Sequence, residues 1–231
     1  MAQPVLFVAP HQDDIELSMS SALRKMLEAG TEVYDVHTML LTTGQNSAAH
    51  GQYFPQLSTE EFIEARDDEH QRGNRRLGTR FSNIHVSEFR VQDGQLTTLD
   101  AYNMIADWLM DYPNAWVKTL SDLPVLNVRH PDHVTSGVAA KQLLYDGVII
   151  PNGLRFYVEP YQLAQFQQAH QTVNLGTETA TAVNVVKAAL DEYAKHDTVG
   201  RYYGVGDASV HDAFATVKAN PASYWHVPTT P

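Results

Sequence analysis

Two short stretches concentrate the side chains best able to do chemistry. The first, Pro10-His11-Gln12-Asp13-Asp14-Ile15-Glu16, puts one imidazole and three carboxylates into a single turn. Three neighbouring anions repel one another unless a cation or several backbone donors neutralise them, and a divalent metal held by His and Asp does so directly. The second, His130-Pro131-Asp132-His133, adds two imidazoles and a carboxylate. The chain has 231 residues and no cysteine. Disulfides are therefore impossible, and a transition metal has only imidazole and carboxylate groups to hold it.

Each stretch alone has a plainer reading. Asp and Glu favour helix N-termini through capping and the macrodipole, so the first also reads as an acidic helix start with His11 as a polar turn residue. In the second, Asp132 can cap a helix that Pro131 enters, leaving both histidines exposed. Position argues against taking them separately. Val5 to Ala9 is a continuous apolar run, suited to a strand buried on both faces, and it ends at the first cluster. Val125-Leu126-Asn127-Val128 reads as a second such strand, leading through Arg129 into the other cluster. Parallel strands that end side by side bring His133 to His11 and Asp14, a three-ligand set with an open position, as catalytic zinc sites require. His130 is then left for catalysis.

The elements that must position these groups alternate along the chain. The spacing predicts helices over 16–29, 58–77, 102–110, 133–144 and 177–196, with strands over 33–43 and 84–86 besides the two already named. Ser58 and Glu61 have the spacing of a reciprocal cap. Strand, helix, strand in succession implies parallel crossovers. The expectation is one α/β domain over 1–231: a Rossmann-like fold with a mostly parallel sheet flanked by helices and its active site at the C-terminal ends of the strands. Residues 199–231, rich in Tyr, Gly and Pro, have no clear period and read as a lid or a packed tail.

Composition narrows the functions. With 43% hydrophobic and 19% charged residues the chain has the make-up of a globular domain. A net charge of -11 argues against a general phosphate-binding surface, hence against nucleic acid as partner. No apolar stretch approaches the roughly 18 residues of a membrane span, and the N-terminal run is too short for a signal peptide, so a cytoplasmic location is expected. Gly204-Val205-Gly206 is followed by Ser209 where a dinucleotide fingerprint needs Gly or Ala.

Taken together, the two clusters resemble the motifs of the PIG-L and LmbE-like family, zinc-dependent N-deacetylases of N-acetylglucosamine conjugates. The family's first motif reads Ala-His-Pro-Asp-Asp-Glu, or has one residue inserted before the Glu. Ala9 through Leu17 is similar to the longer form, and His130 to His133 matches the second motif unchanged. Thr42-Thr43-Gly44, Arg66 with Glu69, and Lys187 through His196-Asp197-Thr198 are weaker likenesses. Departures are Gln12 for the usual Pro and Ser18 where Gly is frequent.

The resemblance implies zinc, or another divalent metal such as Fe2+, on His11, Asp14 and His133. It implies Asp13 as general base, a protonated His130 stabilising the oxyanion, Asp132 orienting His130, and Arg66 touching the substrate. A metal-bound water made acidic and a polarised amide oxygen then let Asp13 complete hydrolysis. The implied partner is a small N-acylated amine, a sugar conjugate by analogy.

Two other readings stay open: a metallohydrolase of another bond such as a phosphoester, and a sugar- or nucleotide-binding module without chemistry. Specificity would reside in 44–58, 90–100 and 199–231. Tyr202, Tyr203, Tyr224 and Trp225 suit stacking on a sugar, packing the tail, or a homo-oligomer interface.

Overall fold

Strand β1 (Gln3–Ala9) shows how the molecule is layered. Val5, Phe7 and Ala9 enter one hydrophobic core, Leu6 and Val8 the other, and all five are fully buried. Successive side chains of a strand point to opposite faces, so an unbroken apolar run belongs at the centre of a sheet covered on both sides. The computed structural model describes residues 1–125, 129–197, 200 and 202–229, the side chains of Ser87 and Glu88 excepted.

After β1 come a π turn (Ile15–Met19), α1 (Ser20–Ala29), β2 (Tyr34–Thr42), α2 (Ala48–Tyr53), α3 (Thr59–Leu77) and β3 (Ile84–Val91). Next are α4 (Thr98–Asp111), β4 (Trp116–Leu120), α5 (Pro131–Tyr145), β5 (Leu154–Val158), α6 (Leu163–Ala169) and β6 (Gly176–Thr179). The chain continues through α7 (Val183–Asp191), the short strands β7 (His196–Asp197) and β8 (Tyr202–Tyr203), α8 (Val205–Ala219) and β9 (Ala222–His226). Seven strands form one sheet in the order β3-β2-β1-β4-β5-β9-β6. The first five are parallel, and β9 runs antiparallel to both its neighbours. Helices α1, α7 and α8 cover one face and α4 and α5 the other, the Rossmann-like α/β architecture the sequence implied.

The chain reverses its direction of travel at β1. It moves from β1 through β2 to β3, and α4 then carries it back to β4 on the other side of β1. In open α/β sheets that reversal leaves a crevice at the carboxyl ends of the two strands. His11 follows β1, and α5, reached from β4, carries His133 in its first turn.

The structure bears differently on three sequence expectations. Of the strand proposed at Val125–Val128, residues 126–128 lie outside the described residues; among the described residues the strand preceding the second cluster is β4. The helix expected from Thr177 starts at Val183, because Gly176–Thr179 pairs with β9. Alternating threonines there suit a pleated strand, while Val186, Ala189 and Leu190 carry the helical face. Of the two readings of the tail, the packed one fits: Val205, Phe214, Val217 and Ala222 are buried, and β9 is an interior strand.

Lys118 on β4 is only 2% exposed, its Nζ 5.8 Å from the Trp116 ring centre and 6.0 Å from that of Tyr157. Burial, and then Arg155, bring its pKa down to about 7. Between that value and the ordinary lysine range the unfolded chain binds the proton more readily than the folded one, so stability should rise with pH across the window. Lys118→Met should stabilise the fold by on the order of 2 kcal/mol near neutrality and flatten the rise, as read by urea titrations between about pH 7 and 9.

Candidate metal centre

The first cluster is shaped by its own backbone. Thr42 N and Oγ1 both donate to Pro10 O, at 3.0 and 2.8 Å, which fastens the end of β1 to that of β2. His11 N then donates to Asp14 Oδ2 at 2.8 Å and closes the turn. Gln12, standing where the family has Pro, is wholly buried and donates from Nε2 to Thr43 O and Asp67 Oδ1, at 2.9 and 3.0 Å. The departure thus ties the turn to α3. Gly44 packs against this amide at φ +65°, a conformation and an approach that a Cβ would block.

The second cluster is delivered by α5. Its cap is His130, whose Nδ1 accepts from Asp132 N at 3.3 Å, with Pro131 in the first helical turn. A Cβ on Gly137 would lie 2.5 Å from Asp122 N and 2.7 Å from Leu120 O. Glycine therefore lets α5 lie against the chain leaving β4, and this seats His133.

The three expected ligands meet. His11 Nδ1 is 3.0 Å from His133 Nε2 and 3.4 Å from Asp14 Oδ2, and His133 Nε2 is 3.2 Å from Asp14 Oδ1. Ligands about 2.0–2.1 Å from a tetrahedral ion lie roughly 3.3 Å apart, so the set fits a zinc-sized cation. Burial alone lowers a histidine's pKa, yet Asp14 and Glu159 outweigh it and push His133 up to about 9. Asp132, Asp14 and Asp93 likewise hold His11 well above its ordinary value. The set calls for positive charge, and two imidazoles with one carboxylate suit zinc or ferrous iron.

Carboxylates back both histidines. His133 Nδ1 is 2.7 Å from Glu159 Oε1, and Glu159 is held by Arg129 Nε at 3.1 Å in a pair closed to solvent. His11 Nε2 faces Asp93 Oδ1 at 3.1 Å and Asp132 Oδ2 at 3.3 Å. Such partners fix the tautomer of a ligating histidine and strengthen it as a donor. His11, Asp93, His130 and Asp132 also form a second group of converging ligand atoms among the described residues; it shares His11 with the first, and we read it as backing for that set.

Sequence reading missed Asp93 and Glu159. Glu159 follows the apolar run Phe156-Tyr157-Val158, the same strand-end address that marked His11, so a signal existed. Asp93, in Val91-Gln92-Asp93-Gly94, reads only as a turn.

Of the neighbours assigned to chemistry, Asp13, Arg66 and His130 border a cavity of about 540 Å³, and Asp132 lies behind its lining. Asp13 Oδ2 lies 3.2 Å from Arg66 Nη2, and both residues line the cavity although nearly buried. Arg66 is thus at the site, as an ion-pair partner of Asp13. His130 is half-buried, with Nε2 3.5 Å from Asp93 Oδ1. Its expected pairing with the Asp132 carboxylate is 3.8 Å, too long for a hydrogen bond, because Asp132 Oδ2 accepts from Gly94 N at 2.8 Å. Burial, and then His11 and His133, lower the pKa of His130, which works against the imidazolium expected there.

The rim comes from all three segments named for specificity: Asn46 and Ser47, Asp93, and Ser209 and Val210 of α8, with Ser47 Oγ and Ser209 Oγ 2.8 Å apart. Glu69 anchors that helix, accepting from Val205 N and Gly206 N at 2.7 and 2.9 Å. An internal carboxylate therefore occupies the helix end that a dinucleotide phosphate would use. Burial raises Glu69 to about 7 against these two bonds. His196 is exposed, its Nδ1 3.3 Å from Tyr203 O, and neither it nor Lys187 lines the cavity. Tyr203 packs on Phe54, Tyr202 under Arg72 and Trp225 under Arg155; these rings and Tyr224 are away from the cavity lining.

With this geometry in place, the chain belongs to the PIG-L family, described as GlcNAc-PI de-N-acetylase, whose sequence profile matches residues 6–144. Among curated proteins none matches the chain in sequence. Three solved structures are similar in fold. The N,N'-diacetylchitobiose deacetylase from Pyrococcus horikoshii has a TM-score of 0.64 at 16% identity, over 94% of this chain and 75% of that one. The zinc-inhibited form of a teicoplanin deacetylase gives 0.63 at 14%, covering 98% and 99%. The 4-carboxy-2-hydroxymuconate hydratase from Pseudomonas putida gives 0.62 at 16%, covering 99% and 98%. At these identities the likeness is one of fold.

Because Glu159 fixes the His133 ring, Glu159→Gln should weaken zinc binding by about 10–100-fold, read by competition with a chromophoric chelator, with the circular dichroism spectrum unchanged.

Proposed function

We propose that this chain is a metal-dependent amidohydrolase that removes an acetyl or related acyl group from the nitrogen of an N-acylated amino sugar or similar small conjugate. The observation that carries the reading is the buried His11, Asp14 and His133 set opening into the same cavity as the Arg66-held Asp13. Membership of a family described by de-N-acetylation supports the choice of bond.

His11, Asp14 and His133 would hold a divalent cation, zinc or ferrous iron, which when bound would supply Lewis acidity toward the amide oxygen and make a water more acidic. Arg66 fixes the direction of the Asp13 carboxylate, which takes the proton of the attacking water and returns it to the departing nitrogen. His130 accepts a backbone N–H at Nδ1, so its ring proton sits on Nε2 and is donated to the oxygen that becomes negative as water adds. Asp93 and Asp132 hold the other side of His11. Carboxylate and amine leave.

The phosphoester reading gains no separate support, since the second group of ligand atoms shares His11 with the first. The similar hydratase favours a second reading, addition of water to an unsaturated acid with Asp13 again activating the water. A screen distinguishes them. Metal-reconstituted protein should release primary amine from N-acetylated sugars and leave unsaturated acids unchanged. Asp13→Asn should lower kcat by about 10²–10⁴-fold while zinc stays bound; full activity in that variant excludes Asp13 as the base.

A further inference from the structure

The family's description contains a phosphodiester-bearing substrate, and the charges around this cavity bear on whether such a group is accepted. Two arginines line it, and both are committed: Arg66 to Asp13 and Arg129 to Glu159. Arg129 also donates from Nη1 to Ser121 O and Leu123 O, each at 2.7 Å. Each pair is neutral overall. Asp14, Asp93 and Asp132 have no arginine or lysine within ion-pair distance among the described residues, Arg66 acting on Asp93 only from farther off, and their close supports are imidazoles and backbone N–H groups. Against these three negative charges one divalent cation brings two positive ones. The loaded site therefore keeps one net negative charge, inside a protein whose total is already -11.

The rest of the described rim is uncharged: Asn46, Ser47, Gln162 and Ser209. Amides and hydroxyls of this kind exchange hydrogen bonds with a polyol but do not compensate a phosphate, and charge inside a cleft is screened less than charge on an open surface. A like charge brought into such a site is a standing penalty that sets specificity by exclusion.

We propose that the site is anion-excluding: its substrate is an uncharged, polyhydroxylated N-acyl amine, and conjugates carrying a phosphate or carboxylate beside the amide are rejected. This rests on the amidohydrolase reading above. It has a consequence for the products, since hydrolysis of the amide by one water gives a carboxylate and an amine that protonates. The ammonium product is held by the negative site and the carboxylate is expelled, so the amine is the inhibitory product.

The test compares N-acetylglucosamine with N-acetylglucosamine 6-phosphate as substrates of the zinc-loaded chain, and glucosamine with glucosamine 6-phosphate as ligands by calorimetry. The neutral substrate should have a kcat/KM at least about tenfold higher, with the gap narrowing as salt is raised. Glucosamine should bind more tightly than its phosphate, and acetate should not inhibit at concentrations where glucosamine does. In Asp93→Asn, which removes the surplus charge, the ratio between neutral and phosphorylated ligands should fall several-fold, whereas a purely structural role for Asp93 would weaken both alike. Equal or better handling of the phosphorylated compounds overturns the proposal. If no amine is released from either compound but glucosamine still binds in preference to its phosphate, the amidohydrolase reading fails and the anion exclusion stands.

Discussion

Asp14, Asp93, Asp132 and Glu159 are all held largely out of water at one end of the sheet, and answering their negative charge is the constraint on which the site depends. A carboxylate buried without a partner either takes up a proton or destabilises the fold. Each has its answer. Glu159 has Arg129 and His133, Asp132 has Gly94 N and His11, Asp93 has His11 and His130, and Asp14 has the backbone of its own turn together with both imidazoles. Glu16, in the same turn, is answered differently: burial beside Asp13 and Asp14 raises its pKa well above the usual range, and Tyr193 Oη donates to it at 2.9 Å. Asp14, Asp93, Asp132 and Glu159, whose pKa values are lowered against the cost of burial, are those that face an imidazole or an arginine, and they bracket the place where a cation fits.

That constraint explains the architecture around it. Two histidines separated by 122 residues come within 3.0 Å because β1 and β4 are neighbours at the reversal of the sheet, and because Gly137 lets α5 close on the chain after β4. The C-terminal segment belongs to the same design. Helix α8 is fastened at its start by Glu69 from α3 and lends Ser209 and Val210 to the cavity rim, while β9 extends the sheet beside β5, whose end presents Glu159. The same framework serves a hydratase as well as deacetylases among the structures it resembles, so fold alone does not choose the reaction.

The parts of this arrangement legible in the sequence were those written locally. Both ligand clusters are contiguous, β1 is an unbroken apolar run, and the reciprocal cap of Ser58 and Glu61 is present as the spacing implied. What was not legible depends on partners distant in the chain. Gly176–Thr179 is a strand only because β9 lies beside it, and β9 itself has no alternating pattern strong enough to announce it. Asp93 and Glu159 become parts of the site only when β3 and β5 set them behind His11 and His133. His130 was a candidate from its motif, but the lowering of its pKa was not legible, since it comes from burial and from two other imidazoles brought near by the fold.

The central claim is that His11 Nδ1, Asp14 and His133 Nε2 hold one catalytic divalent cation. Anomalous scattering at the zinc edge, from crystals of protein loaded with one equivalent of zinc, tests it most directly. The account predicts a single strong peak about 2.0–2.2 Å from each of those three groups, with Asp13 beside it and not coordinating. A peak placed elsewhere, or no peak from protein that still releases amine, contradicts it.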